Sequence, residues 1–217
     1  MGKRLSLIYA LKRGLPVTHN KVIYSVHLLI SSYYMKIAIL ALQGAFAEHE
    51  EVLRALGAET FLIRNRADWD IEKDALVIPG GESTAMTRIM RDLELWEPIS
   101  EALNQGLPVF GTCAGLIMLD DAHLSTMNIT AQRNAYGRQL GSFYTEDEFC
   151  GIGKVPMTFI RAPYIERVGE GVEVLATVDG KVVAARQQHQ LVCAFHPELT
   201  PEDTRIHRYF LDMIQGK

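Results

Sequence analysis

Val109-Phe110-Gly111-Thr112-Cys113-Ala114-Gly115-Leu116-Ile117 sets the reading of this chain. An apolar run, Leu107 to Phe110, ends in Gly-Thr-Cys-Ala-Gly, and a second apolar run, Leu116 to Leu119, follows at once. That is the pattern of a buried strand turning sharply into a helix with a cysteine at the bend, the layout in which G-x-S-x-G elbows present a serine. Gly111 and Gly115 remove side chains where such a bend is crowded, and Ala114 adds only a methyl group. A thiol at this point would project from the strand end into the field of the helix amides, which favours thiolate. The competing reading is a buried structural cysteine, the commoner fate of a lone Cys. The glycines on both sides favour a nucleophile.

Around this bend the totals leave room for one core. At 217 residues and 48% hydrophobic, the chain is long enough for one sizeable core and too short to expect two. A net charge of −4 with no basic stripe argues against a nucleic-acid partner. The three cysteines, Cys113, Cys150 and Cys193, have no C-x-x-C spacing, which fits a reducing cytoplasm and gives no metal site.

Residues 1–34 differ in texture. Lys3, Arg4, Lys12, Arg13 and Lys21 precede an apolar run from Val22 to Tyr34 that His27 interrupts. No A-x-A cleavage site follows, and the run is too short to span a bilayer. Residues 1–34 are therefore expected to be an extension, non-native or disordered, with a weak membrane anchor as the alternative. Residues 35–217 are expected to form one domain.

Before the bend, Lys36 to Leu42 reads as a strand apolar on both faces, the form expected in a parallel sheet covered by helices. Phe46, Val52, Leu53 and Leu56 recur at helical spacing up to Gly57. Thr60 to Ile63 and Ala75 to Ile78 are further strands, and Ser83 or Thr84 is expected to cap a helix carrying Met86, Ile89, Met90 and Leu93. Trp96 to Leu103 makes another helix, and Leu107 to Phe110 the fourth strand. This order predicts an α/β fold: an open, mostly parallel sheet flanked by helices, with sites beyond the carboxyl ends of the strands. After about residue 135, short extended runs (Lys154 to Ile160, Val172 to Val178, Val182 to Arg186, Leu191 to Phe195) separated by turns suggest antiparallel additions. Thr200-Pro201-Glu202-Asp203 is expected to start the last helix, with Ile206, Phe210, Met213 and Ile214 as its buried stripe.

A thiol nucleophile needs a base, and the base an orienting group. His196 follows the apolar run Leu191 to Phe195, and Pro197-Glu198 comes next. In extended chain, residues i and i+2 point the same way, so imidazole and carboxylate can converge. The plainer alternative is a surface turn. Pro79-Gly80-Gly81-Glu82-Ser83 closes a central strand with two glycines, whose bare N–H groups can hold an oxyanion. No Gly-Lys-Ser/Thr follows, so a phosphate loop is disfavoured, and a plain tight turn is the remaining alternative. His49, among Glu48, Glu50 and Glu51, reads as a solvated or partner-facing group. His123, His189 and His207 have no companions at ligand spacing, and Cys150 and Cys193 read as inert.

Gly-Thr-Cys-Ala-Gly, Pro-Gly-Gly-Glu-Ser and Phe-His-Pro-Glu-Leu-Thr, in this order, resemble the class I glutamine amidotransferases, whose fold is flavodoxin-like. Within them the chain looks most like the glutaminase subunits of pyridoxal 5'-phosphate synthases. The closer likeness rests on Leu40-Ala41-Leu42-Gln43-Gly44-Ala45, Pro79 to Thr84, Gly111-Thr112-Cys113-Ala114-Gly115, Arg133-Asn134-Ala135-Tyr136-Gly137-Arg138-Gln139, Ile160-Arg161-Ala162-Pro163 and Phe195 to Thr200. It covers Met35 to the C-terminus. The stretch from Leu119 to Arg133 is several residues shorter than is usual in the family.

The resemblance implies Cys113 as nucleophile, His196 as general base and then acid, and Glu198 as the orienting carboxylate. It implies that Gly81, Glu82, Ser83, Arg133, Ile160 and Arg161 hold the glutamine, and that the N–H groups of Gly81 and Ala114 form the oxyanion hole. L-glutamine is then hydrolysed to glutamate and ammonia, which passes to a separate synthase subunit, with no metal or organic cofactor on this chain. Gln43 and the helix from Phe46 to Leu56 are the expected contact with that subunit. Two alternatives stay open: a glutaminase subunit of another amidotransferase, and a silent regulatory subunit, against which an intact Cys-His-Glu set argues.

Overall fold

A computed structural model describes residues 35–133 and 142–216. The expectations for residues 1–34, and the motif residues from Asn134 to Gln139, lie outside the described residues. Lys36–Lys217 form a compact unit by themselves.

The first half alternates strand and helix: β1 (Lys36–Leu40), α1 (Phe46–Ala55), β2 (Glu59–Ile63), α2 (Arg66–Trp69), β3 (Ala75–Ile78), α3 (Ser83–Asp92), α4 (Trp96–Asn104), β4 (Val109–Thr112) and α5 (Ala114–Leu119). The second half is mostly strand: β5 (Ile129–Gln132), β6 (Ser142–Phe149), β7 (Gly153–Ile160), β8 (Tyr164–Val168), β9 (Glu173–Val178), β10 (Lys181–Gln187) and β11 (Gln190–Cys193). A 3-10 turn (Pro197–Leu199) and α6 (Arg205–Ile214) complete it.

The main sheet runs β2-β1-β3-β4-β11-β10-β8-β5, with β9 also paired to β10 and β6-β7 forming a separate hairpin. Pairing is parallel from β2 through β11 and antiparallel from β11 outward. Every residue of β3 and β4 is buried, as is β1 from Ile37 to Leu40. Side chains covered on both faces explain why these strands read as continuous apolar runs rather than alternating ones. The predicted α/β sheet with antiparallel additions is therefore what the chain adopts.

Four local expectations change. The run Leu191 to Phe195, expected among the antiparallel additions, supplies β11, which pairs parallel to β4 (Leu191 opposite Phe110, Cys193 opposite Thr112) and antiparallel only to β10. Helix α3 is capped by Glu82, whose carboxylate accepts from the N–H groups of Thr84 and Ala85, and not by Ser83 or Thr84. A carboxylate accepting from two otherwise free amides is also favoured by the positive end of the helix. Helix α6 begins at Arg205, not in the Thr200-Pro201 turn, and its buried stripe is Ile206, His207, Phe210, Leu211 and Met213, with Ile214 only half-buried. The first strand ends at Leu40, two residues before its apolar run does, because the chain leaves the sheet to form the loop that carries Gln43.

Candidate active site

Parallel pairing of β3, β4 and β11 brings three loops to one sheet edge: the turn after Ile78, the bend at Cys113 and the segment after Cys193. Cys113 has φ +49° and ψ −99°. Positive φ at a residue with a Cβ is strained, and such strain gathers where a reactive side chain must be thrust off a strand end. The bend closes because Gly115 packs against β3: a Cβ there would overlap the Ile78 carbonyl oxygen. The Cys113 thiol lies 3.9 Å from the Ile160 carbonyl oxygen, and Arg161, next in the chain, also holds a positive φ of 44°.

His196 reaches the same point from β11. A Cβ on Gly80 would overlap the His196 ring at Cε1 and would sit 3.3 Å from the Cys113 Cβ, so both side chains meet above that glycine. His196 Nδ1 is 2.7 Å from Glu198 Oε1. The expected extended chain between them is instead a 3-10 turn opened by Pro197, with His196 at φ −110° and ψ 84°. Proline's fixed φ favours the first position of such a turn.

Burial alone would lower the His196 pKa. Hydrogen bonds to Cys113 and Glu198 outweigh it and push it up to about 10. Burial would raise the Glu198 carboxyl, yet the facing His49 and the hydrogen bond with His196 hold it below the usual carboxylate range. The arrangement therefore favours imidazolium beside carboxylate, which is what a thiolate needs as its counter-ion.

These groups open onto a cavity of about 500 Å³. Of the residues singled out from the sequence, Gly81, Glu82, Ser83, Cys113, Ala114, Arg133, Ile160, Arg161 and His196 all line it, and Glu198 lies buried behind His196. Gln43, Gly44, Ala45, Gly80, Ile117 and Pro163 complete the wall. Gln43, expected at the contact with a partner, also serves the cavity: its Nε2 donates to the Glu82 carbonyl oxygen at 2.5 Å.

Arg133 is aimed by a short chain of bonds. It donates to Thr84 Oγ1 at 3.2 Å and to His123 Nε2 at 3.0 Å, and His123 Nδ1 is 2.7 Å from the buried Asp120. Asp120 also accepts from the backbone N–H groups of Ala122 and Ala131. His123 thus has companions that its sequence neighbours did not advertise.

His49 departs most from expectation. It is fully buried, with Nδ1 3.0 Å from His207 Nε2 and Nε2 3.0 Å from Thr112 Oγ1. The signal was its place one helical turn before Val52 and Leu53, the buried face of α1. Among the described residues, no group of three or more His, Cys, Asp and Glu side chains is arranged to hold a metal ion. No helix among them is long and apolar enough to cross a membrane.

Fold and site together set a thiol, an imidazole and a carboxylate at the carboxyl edge of a parallel sheet. The SNO glutamine amidotransferase family matches residues 39–216, and the chain belongs to that family. Two Streptococcus pneumoniae proteins, from strains 70585 and JJA, each a pyridoxal 5'-phosphate synthase subunit PdxT, are 55% identical over 193 residues. The match covers 84% of this chain and 100% of each relative. A solved glutamine amidotransferase is similar with a TM-score of 0.77 and 40% identity, over 82% of this chain and 98% of that one. A glutamine amidotransferase from Thermotoga maritima shares the fold at 12% identity, with a TM-score of 0.57 over 85% of this chain and 86% of its own.

Proposed function

We propose that Cys113, His196 and Glu198 are the triad with which this chain hydrolyses L-glutamine. The chain is the glutaminase subunit of a pyridoxal 5'-phosphate synthase, which releases ammonia from glutamine for a synthase subunit in vitamin B6 biosynthesis. The observation that most supports the triad is the convergence over Gly80 of Cys113 and His196, with Glu198 2.7 Å behind the ring.

In this reading the Cys113 thiolate attacks the side-chain amide carbon, and the N–H groups of Gly81 and Ala114 receive the oxyanion. Ala114 is the first residue of α5, so its N–H has no partner within the helix. The Gly80 carbonyl accepts from Ala45 N at 3.4 Å, and across a trans peptide the Gly81 N–H faces the other way. His196 gives its proton to the departing ammonia, then takes one from the water that cleaves the thioester. Glutamine and water become glutamate and ammonia, with Cys113 regenerated.

The amino acid end of glutamine carries one carboxylate and one ammonium. Arg133 and Arg161 suit the first, Glu82 the second, with Gly81, Ser83 and Ile160 shaping the walls. Two backbone N–H bonds hold the Glu82 carboxyl below the usual range, so it is ionised when substrate arrives. The unpaired thiols Cys113, Cys150 and Cys193 support a cytoplasmic setting. Glutamate release is to be measured with and without the synthase subunit, for wild type and Cys113→Ala. Loss of turnover in the variant is expected; equal rates would overturn the nucleophile assignment.

A further inference from the structure

Behind Glu198 lie two buried histidines that the hydrolytic steps above do not use. Glu198 has one oxygen, Oε1, on His196; its other, Oε2, makes no hydrogen bond among the described residues and lies 3.4 Å from His49 Nε2. His49 belongs to α1 and His207 to α6, so two distant helices close over the back of the triad. Both rings pack edge-on against Phe110 of β4, at centroid distances of 5.7 Å and 5.6 Å.

The partners decide the tautomers. Burial lowers the pKa of both histidines, to about 3 for His207, so both rings are neutral. The charged groups acting on His49 are Glu198, His196 and Glu48. Two arrangements of the protons satisfy the His49–His207 bond. In one, His49 Nδ1–H donates to His207 Nε2; His207 then carries its own proton on Nδ1, which has no partner among the described residues. In the other, His207 Nε2–H donates to His49 Nδ1, leaving only a bare lone pair at His207 Nδ1. A buried N–H without an acceptor is costlier than an unused lone pair, so the second holds. His49 then carries its proton on Nε2, between Thr112 Oγ1 at 3.0 Å and Glu198 Oε2 at 3.4 Å.

We infer that His49, fixed in this tautomer by His207, is a positioning residue for the triad: its Nε2–H faces the second oxygen of Glu198 and keeps the first aimed at His196. The inference rests on the triad assignment above. An ionised carboxylate with one oxygen unsupported in a buried pocket can rotate or take up a proton, and either change weakens its hold on the imidazolium. His49 sets a neutral N–H dipole 3.4 Å from that oxygen, without adding a second positive charge that would compete with His196 for the carboxylate.

The test compares His49→Phe, which removes the donor, with His49→Gln, whose amide can place an N–H where Nε2 lies. Glutaminase kinetics are measured with the synthase subunit present. Alkylation of Cys113 by iodoacetamide is followed against pH, reading the Cys113 peptide by mass because Cys150 is exposed. For His49→Phe we expect kcat to fall about 10- to 100-fold, the cost of a misplaced catalytic group, with KM within about twofold. The acid limb of the alkylation profile should move to higher pH, and His49→Gln should recover most of both losses. If His49→Phe does not fold, His207→Phe, which frees the His49 tautomer, is expected to shift the alkylation profile in the same direction. An unchanged alkylation profile in a folded His49→Phe or His207→Phe protein, or no recovery in His49→Gln, would overturn the inference. Full turnover by Cys113→Ala would instead overturn the triad itself.

Discussion

The His196 ring lies so close over Gly80 that a Cβ at residue 80 would overlap its Cε1. Gly80 is required by that approach and not by an unusual backbone angle, since it is not among the glycines with positive φ. Gly80→Ala should therefore fold but displace the ring from Cys113. A shift of about 1 Å in a catalytic group costs on the order of 100-fold in rate, and a loss of that size is expected in glutamate release. Thermal unfolding should change far less than activity; equal activity would mean that the ring moves without consequence.

Glu198→Gln tests the carboxylate without changing its shape. His196 owes its high pKa to hydrogen bonds with Cys113 and Glu198 and to their charges. Removing one charge leaves the imidazolium less favoured, so less thiolate forms at neutral pH. A fall of roughly 100- to 10,000-fold in kcat is expected, in the range seen when the orienting member of a triad is neutralised. Alkylation of Cys113 near pH 7 should slow in parallel.

Much of the fold was legible because the central strands are apolar on both faces and end in glycine-marked turns. The bend at Cys113 was legible for the same reason: Gly111 and Gly115 flag a crowded corner on their own. The direction of β11 was not, because a five-residue apolar run, Leu191 to Phe195, carries no record of whether its neighbour is parallel or antiparallel. The burial of His49 was hidden because three glutamates around it dominate the local composition. That burial follows from the far end of the chain, where His207 of α6 packs against it, and no local pattern reports a partner 158 residues away. His123 and Asp120 escaped notice likewise, since their service to Arg133 exists only once the chain returns through β5.

Arg133 is held through His123 to Asp120, which predicts a graded series at one site. Arg133→Ala should raise KM for glutamine by about 10- to 100-fold, the effect of one lost charge-assisted contact, with a smaller change in kcat. His123→Ala leaves the guanidinium in place but loosely aimed, so its KM should lie between wild type and Arg133→Ala. Initial-rate kinetics at varied glutamine separate the two parameters. A His123→Ala KM equal to wild type would show that Thr84 alone suffices to hold the arginine.

Titration of the buried histidines gives stability a pH dependence with two windows of opposite sign. His207 has a folded pKa of about 3 against an ordinary 6.5, and that of His49 is also lowered. Between those values the unfolded chain binds protons that the folded chain refuses, so stability falls as pH drops below 6.5. His196 is the reverse: its folded pKa of about 10 lies above 6.5, so its contribution is complete below 6.5 and is lost as pH rises through 10. Carboxylates such as Glu198, whose pKa is lowered, add their own loss only once pH falls below about 4.5. The interval from pH 6.5 to 5 therefore isolates the histidines. Urea unfolding of wild type should weaken across it, and His207→Phe should show a flatter slope there. A wild-type slope that His207→Phe leaves intact would assign the acid sensitivity to some other group.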